Sequence, residues 1–423
     1  MSAGEVHAKR MKVTFISESL PPAQTGQALV LYRLLEGRST SDYCLISAHE
    51  WRGDGGDGED SRSNTLPGKT YALGTPFRFE RGHRFGLARL RETVNVPLGV
   101  RQRARQIADV IEREGCDAIV ACTGDVLDLP AARIAAQRVG VPFYAYLFDH
   151  YSYREWRDSS RRFWARRYEP WLMKSAAGLI APNEVLRDDL RERFGVEATV
   201  IHNSFDISPY DSSAVGVARP SNGAGGGVVY TGDIYEAHYD AFRNLLEALD
   251  RLGRDDLKLH AYTPRTKEEL ARQGLSGRMI LHAPRDPSEI PRVQRGAGAL
   301  FLPLAFNSPY PELVRTSATT KLGEYLAAGR PVIAHAPPDS FVAWYFREHE
   351  CGVVVDRLDP ASLAEAVGRV LDDDALGRKL AARAWERAVA DFDIVSAREK
   401  FWKFLEDGAS AFAGGVGPRG GVR

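Results

Sequence analysis

Cysteine is scarce: the 423 residues contain only four, Cys44, Cys116, Cys122 and Cys351. None forms a C-x-x-C pair and their spacing gives no zinc signature. Three lie in or beside short apolar runs, so they read as buried, reduced thiols of a cytoplasmic protein rather than a disulfide framework. Long apolar runs are missing too; nothing approaches the ~18 uninterrupted residues that a membrane span needs. The opening MSAGEVHAKRMK sets no apolar core behind its basic residues, so no secretory signal is read there. Net charge is also absent. Lysine plus arginine equals aspartate plus glutamate at 56 each, which removes the global field that a nucleic-acid partner favours.

What is present is a globular composition, 44% apolar and 26% charged, in a chain too long for one ordinary core. Short β-branched runs alternate with helix-length segments from end to end. In the first half the runs are 12–17, 43–48, 117–122, 142–147, 177–182 and 198–202. In the second they are 228–231, 257–262, 279–283, 297–303, 331–335 and 352–355. Several are apolar throughout, as strands of a parallel sheet covered on both faces should be. Phe242, Leu245, Leu246, Leu249 and Leu252 fall on one helical stripe. Such alternation implies right-handed crossovers and doubly wound sheets. Residues 208–226 are rich in Ser, Gly and Pro and read as a linker between two similar α/β domains, 11–207 and 227–392. Residues 52–64 read as a solvated loop, since the glutamate that closes a calcium loop is missing from its place. The tail beyond Phe412 reads as frayed.

The segment 312–335, ELVRTSATTKLGEYLAAGRPVIAH, carries the most chemistry. Thr319 or Thr320 can cap a helix starting at Lys321, and Gly329-Arg330-Pro331 stops it before the next strand. The wheel puts Leu322, Tyr325 and Leu326 on one flank, and Lys321, Glu324 and Ala328 on a second, non-core flank. A helix N-terminus preceded by hydroxyls suits an anion, and a lysine one position in adds a point charge. Glu324 can accept hydrogen bonds from vicinal hydroxyls of a ribose. The competing reading is an exposed i,i+3 ion pair.

The run KLGEYLAAGRPVI closely resembles the donor-binding helix of retaining glycosyltransferases with the GT-B fold, the group 1 family, in its lysine-containing K-x-x-E-Y-L-A form. The resemblance spans roughly 11–407, through PPAQTG (21–26), LFDHY (147–151), 174–195, IHNSFD (201–206), VVYTGDI (228–234) and 392–406. It implies two Rossmann-like parallel-sheet domains facing a cleft, with a C-terminal helix (393–410) crossing back to the first. It implies donor contacts at Glu324, Arg315, Thr316, Ser317, Thr319, Thr320 and Gly232, and at the backbone of Ala283 and Pro284 for the base. His150 is placed by resemblance near the transferred sugar, and with Lys321 it forms the expected catalytic pair. Thr25, Gly26 and Asp149 are expected on the acceptor side.

Two departures are visible. Where many members carry a glutamate eight residues upstream of Glu324, this chain has Thr316. After Gly232 it reads DIYEAHYDAF, without the arginine and lysine that hold the donor diphosphate. Countercharge is then expected from Lys321, with Arg315 and the N–H groups of 317–320. No nucleophile with an adjacent base is evident, so transfer with retention is expected to rest on positioning and charge stabilisation. Asp372, Asp373 and Asp374 read as a surface helix start, so no metal or other cofactor is expected. The reaction implied is transfer of a hexose from a nucleoside-diphosphate sugar to a hydroxyl of a glycan, lipid-linked or small-molecule acceptor. A silent scaffold and a sugar-nucleotide epimerase are the alternatives. The arginine–aromatic strips 76–105 and 161–174 allow peripheral contact with the inner membrane face, against a reading with aromatics packed inward and arginines solvated.

Overall fold

The computed structural model describes residues 10–23, 25–48, 64–75, 87–153, 159–210 and 227–415, with backbone only at 87–92 and 159. Most of the 52–64 loop, the 76–86 part of the first basic strip, residues 211–226 of the linker and the tail from 416 lie outside the described residues. The chain divides into two compact units, Met1–Ile201 with Ser396–Arg423, and His202–Val395. Residues 202–207, placed by sequence at the end of the first domain, pack within the second unit.

In the first unit the elements run β1 (Val13–Ile16), α1 (Gly26–Leu35), β2 (Tyr43–Ser47), β3 (Lys69–Ala72), α2 (Leu87–Glu114) and β4 (Ala118–Cys122). They continue with α3 (Asp128–Val139), β5 (Phe143–Tyr146), α4 (Ser159–Ser175), β6 (Gly178–Ala181), α5 (Glu184–Phe194) and β7 (Thr199–Val200). The seven strands lie in the order β3-β2-β1-β4-β5-β6-β7, all parallel. β3 was not anticipated. Its residues are exposed or half-buried, so no apolar run marks this edge strand. In α4 the aromatics Trp164, Tyr168 and Trp171 pack against the core, while Arg162, Arg166 and Arg167 face solvent. All four cysteines are free and buried.

The second unit opens with β8 (Val228–Thr231), α6 (Tyr239–Leu252), β9 (Leu259–Tyr262), α7 (Lys267–Arg272), β10 (Met279–His282) and α8 (Ile290–Arg295). Then come β11 (Ala299–Pro303), α9 (Pro311–Arg315), α10 (Lys321–Ala327), β12 (Val332–His335) and α11 (Phe341–His349). It closes with β13 (Val353–Val355), α12 (Pro360–Asp372) and α13 (Asp374–Phe392). Its six strands run β10-β9-β8-β11-β12-β13, again all parallel. The stripe of α6 buries Phe242, Leu245, Leu246 and Leu249 against this sheet, as its period requires. The last helix, α14 (Ile394–Ala413), leaves the second unit and returns the chain to the first, where Phe401, Trp402 and Leu405 are buried.

Each sheet reverses its winding once, between β1 and β4 and between β8 and β11. Beyond the carboxyl ends of the strands at such a reversal the flanking loops part, and that is where ligands of open α/β sheets bind.

Candidate functional site

In the second unit this crevice begins where β8 ends. Gly232 holds φ +127°, a conformation that L side chains rarely adopt. A Cβ there would stand 2.3 Å from Lys321 Cε and 2.8 Å from its Nζ. Lys321 is the first residue of α10, and its stem lies across this glycine with Nζ 5.5 Å from the centre of the Tyr230 ring. The flank read from the wheel as non-core is therefore partly enclosed; Ala328 is fully buried. Desolvation lowers the Lys321 pKa, against the pull of Glu324 and Asp233. Among the described residues no carboxylate lies within ion-pair distance of its ammonium.

The N-terminus of α10 is built by its neighbours. Thr319 Oγ accepts from Lys321 N at 3.4 Å, whereas Thr320 makes no capping bond with its side chain. Ser317 N–H is spent on Val314 O at 3.2 Å. The N–H groups of Ala318, Thr319 and Thr320 have no protein partner among the described residues. Asn203 Nδ2 donates to Ala318 O at 2.7 Å and fixes the loop from below. Gly323 lets the helix lie close, since a Cβ there would meet Phe205 Cε1 at 2.8 Å and Phe392 Cβ at 2.9 Å. Glu324 sits half-buried one turn in, and Arg315 ends α9. Thr316, expected at the donor, is 1% exposed, and its hydroxyl donates to Glu312 O at 3.0 Å. Its role in the fold is to close α9.

Sequence alone missed several neighbours of this crevice. Arg265, in the loop after β9, grips Asp233 with two hydrogen bonds of 2.6 Å. A cation thus stands beside the loop that lacks the family's arginine and lysine. His238 is buried, and desolvation together with the charge of Lys321 pushes its imidazole down to about 3, so it is neutral at physiological pH. A buried relay locks the strand end. Tyr210 Oη donates to Gln294 Oε1 (2.8 Å), Gln294 Nε2 donates to Thr231 Oγ (3.1 Å), and Thr231 N donates to Tyr325 Oη (2.9 Å). Ala283 and Pro284 are exposed just past β10, next to His282, whose ring stacks on Tyr262 at 4.3 Å. Only the pattern of strand-end polar residues could have flagged these; their partners are distant in sequence.

The first unit has its own crevice beyond β1 and β4. Thr25 caps α1 by accepting from Ala28 N (3.2 Å), and its hydroxyl is hydrogen-bonded to that of Ser19 (2.6 Å). Gly26 follows, exposed, as the first residue of α1. Ser17 Oγ accepts from Gln27 Nε2 at 2.8 Å and donates to Ser19 O at 2.7 Å. Across the reversal Arg103 binds Asp125 (2.6 Å) and Asp128 (2.7 Å), both beyond β4. Burial raises the Asp128 carboxyl well above the ordinary range, against the pull of Arg103. His150 is not at a surface: its side chain is fully enclosed, with Asp189 Oδ2 3.2 Å from Nε2 and Arg193 Nη1 3.2 Å from Nδ1. Arg193 in turn pairs with Glu169, which holds Ser152. Asp149 is half-buried beside it. The aspartate run is spent on structure. Asp372 pairs with Arg254, and Asp373 caps α13 through Leu376 N at 2.9 Å.

Comparison with known proteins agrees with this architecture. Residues 225–373 match the family model described as Glycosyl transferases group 1, and residues 66–208 match that of Glycosyltransferase Family 4. No curated protein matches the chain. Among solved structures, Alr3699/HepE from Anabaena, in complex with UDP and glucose, is 18% identical with a TM-score of 0.64, over 94% of this chain and 100% of that one. Sucrose-phosphate synthase from Thermosynechococcus elongatus is 16% identical with a TM-score of 0.67, over 95% of this chain and 100% of that one. A glycosyltransferase from Rickettsia africae is 12% identical with a TM-score of 0.63, over 95% and 99%. The chain has the GT-B fold, with a glycosyltransferase family match in each half.

Proposed function

We propose that the protein transfers a sugar, with retention, from a nucleoside-diphosphate sugar held by the second unit to a hydroxyl acceptor. The observation that carries this reading is Lys321: a half-enclosed ammonium with no carboxylate partner among the described residues, lodged on a left-handed glycine where the sheet reverses. A diphosphate there gains that charge and the unspent N–H groups of 318–320. Arg265, held by Asp233, lies beside the same glycine loop, and Arg315 ends the helix before the 316–320 loop. Glu324 would take the ribose hydroxyls, and the segment at Ala283 and Pro284 would take the base. UDP and glucose in the Anabaena structure support the donor class by analogy of fold. Catalysis would then consist of positioning and of stabilising charge on the departing diphosphate, which itself takes the acceptor proton. With Lys321 supplying the charge, the reaction is expected to proceed without a metal and to survive a chelator.

His150 enters this scheme differently from the sequence expectation. With both ring nitrogens facing Asp189 and Arg193, it holds the loop after β5 in shape. The acceptor, whether glycan, lipid-linked or small molecule, is assigned to the first unit.

Thermal shift with nucleoside diphosphates and their sugars tests the proposal. At 100 times Kd a bound donor stabilises by about 2.7 kcal/mol. Wild type should respond to one base class, and both Lys321→Ala and Glu324→Ala should lose the response. No response from any nucleotide would move the reading to a silent scaffold.

A further inference from the structure

The second unit carries another cavity, at the opposite end of its sheet from Gly232. It is a solvent-open concavity where β13 begins, lined by residues of α11, α12 and α13, and its volume is about 450 Å³. That is within the range of small-molecule sites, roughly 300–1,000 Å³. Its floor is apolar, formed by Phe346, Val353, Leu376 and Leu380. Its walls are cationic: Arg347, Arg369, Lys379 and Arg383, against a single carboxylate, Glu350.

Two of these cations are already satisfied. Arg383 pairs with Glu350, and Arg347 pairs with Asp356 just outside the cavity. Arg369 and Lys379 have no carboxylate within ion-pair distance among the described residues. They extend from two different helices, α12 and α13, over the same apolar floor. β13 adds a third feature, because it ends the sheet. Val355 O accepts from Ala336 N on the β12 side, so by strand alternation the N–H and C=O of Val354 face the open edge. Among the described residues, an edge N–H without a partner, two cations without a carboxylate and an apolar floor meet in one concavity, which is what an amphiphilic anion requires. Gly352 keeps the cavity's shape. A Cβ there would be 2.5 Å from Phe346 Cδ1 and 2.7 Å from Val332 O.

We propose that this cavity binds a phosphorylated amphiphile, with its phosphate on Arg369 and Lys379 and its apolar part on Phe346, Leu376 and Leu380. The site is separate from the donor crevice, and the proposal stands independently of the transferase reading.

Two sources share this chemistry, a soluble alkyl phosphate ester and a lipid phosphate headgroup. The first arm titrates the full-length protein with n-octyl phosphate below its micellar range by calorimetry. One equivalent should bind, with Kd unchanged within twofold in Lys321→Ala and weakened at least tenfold in the double variant R369E/K379E. The charge-neutral R369Q/K379Q should fall between, which excludes mere repulsion. Both substituted side chains are exposed, so the variants should unfold at the wild-type urea midpoint. The second arm measures co-sedimentation with phosphatidylcholine vesicles containing phosphatidic acid. Charge-dependent pelleting without octyl phosphate binding assigns the lipid source, and the reverse assigns the soluble one. No binding in either arm, binding that survives R369E/K379E, or binding lost in Lys321→Ala would overturn the proposal.

Discussion

At Gly232 the backbone holds φ +127° and the stem of Lys321 fills the place of a side chain. Replacing it with alanine imposes two costs. A residue with a Cβ is strained in this region by about 1–3 kcal/mol, and its methyl displaces the lysine stem. Gly232→Ala is therefore expected to unfold at lower urea concentration and to lose its thermal response to the donor. Retention of both would remove Lys321 from the donor site. His238 gives a pH prediction at the same scale. Its folded pKa is depressed to about 3 from 6.5. Below pH 6.5 the unfolded chain takes up a proton that the folded one refuses. Stability from this group is thus complete above pH 6.5 and is lost as the pH falls toward 3. Between pH 7 and 5 the loss should be about 2 kcal/mol. His238→Phe should lose correspondingly less over that interval, as read by urea midpoints at the two pH values.

Among the elements, α10 is too short to hold its own geometry. Its seven residues depend on what surrounds their first turn. Asn203, 115 residues away, holds Ala318 O, while Gly323 admits Phe205 and Phe392. Tyr325 reaches across to Thr231 N. The motif IHNSFD was legible as a motif, but its work was not: it braces the loop from below. Asn203→Ala should destabilise the fold by about 1 kcal/mol, and should weaken donor binding beyond that modest cost because the 316–320 loop is freed. An unchanged donor Kd in calorimetry would show that the loop needs no brace. Most of the twelve strands read from sequence were legible for an elementary reason, because buried parallel strands are apolar throughout; β7 and β10 are only half-buried and were marked by their β-branched or apolar residues alone. β3 was not, since its residues lack that signal.

For the whole molecule, the last helix matters out of proportion to its length. Residues 396–423 belong to the first unit although they follow the second in sequence. Phe401 is buried with its ring 6.0 Å from Phe15, Tyr144 Oη donates to Leu405 O at 2.9 Å, and Arg398 Nε donates to Arg33 O at 2.6 Å. Truncating Phe401 to alanine should cost about 3–5 kcal/mol, charged to the first unit alone. In Phe401→Ala, denaturation should show an early transition that nucleotide does not shift and a later one that it does. A single transition shifted uniformly would show that the two units unfold together.

The sequence by itself determined the two parallel α/β sheets, the positions of every strand but β3 and the segment of α10, because hydrophobic period and helix-stop residues act locally. It also named Lys321, Glu324 and Gly232 as candidates, through a motif. Only the tertiary structure decided their surroundings: that Lys321 lies on Gly232 with no carboxylate partner among the described residues, and that Thr316 is turned into its own helix. It also brought Arg265 to Asp233 across 32 residues, enclosed His150 with Asp189 and Arg193, and gathered four cations around the start of β13. Burial and charge pairing depend on what the fold brings near, and neither is written in local order.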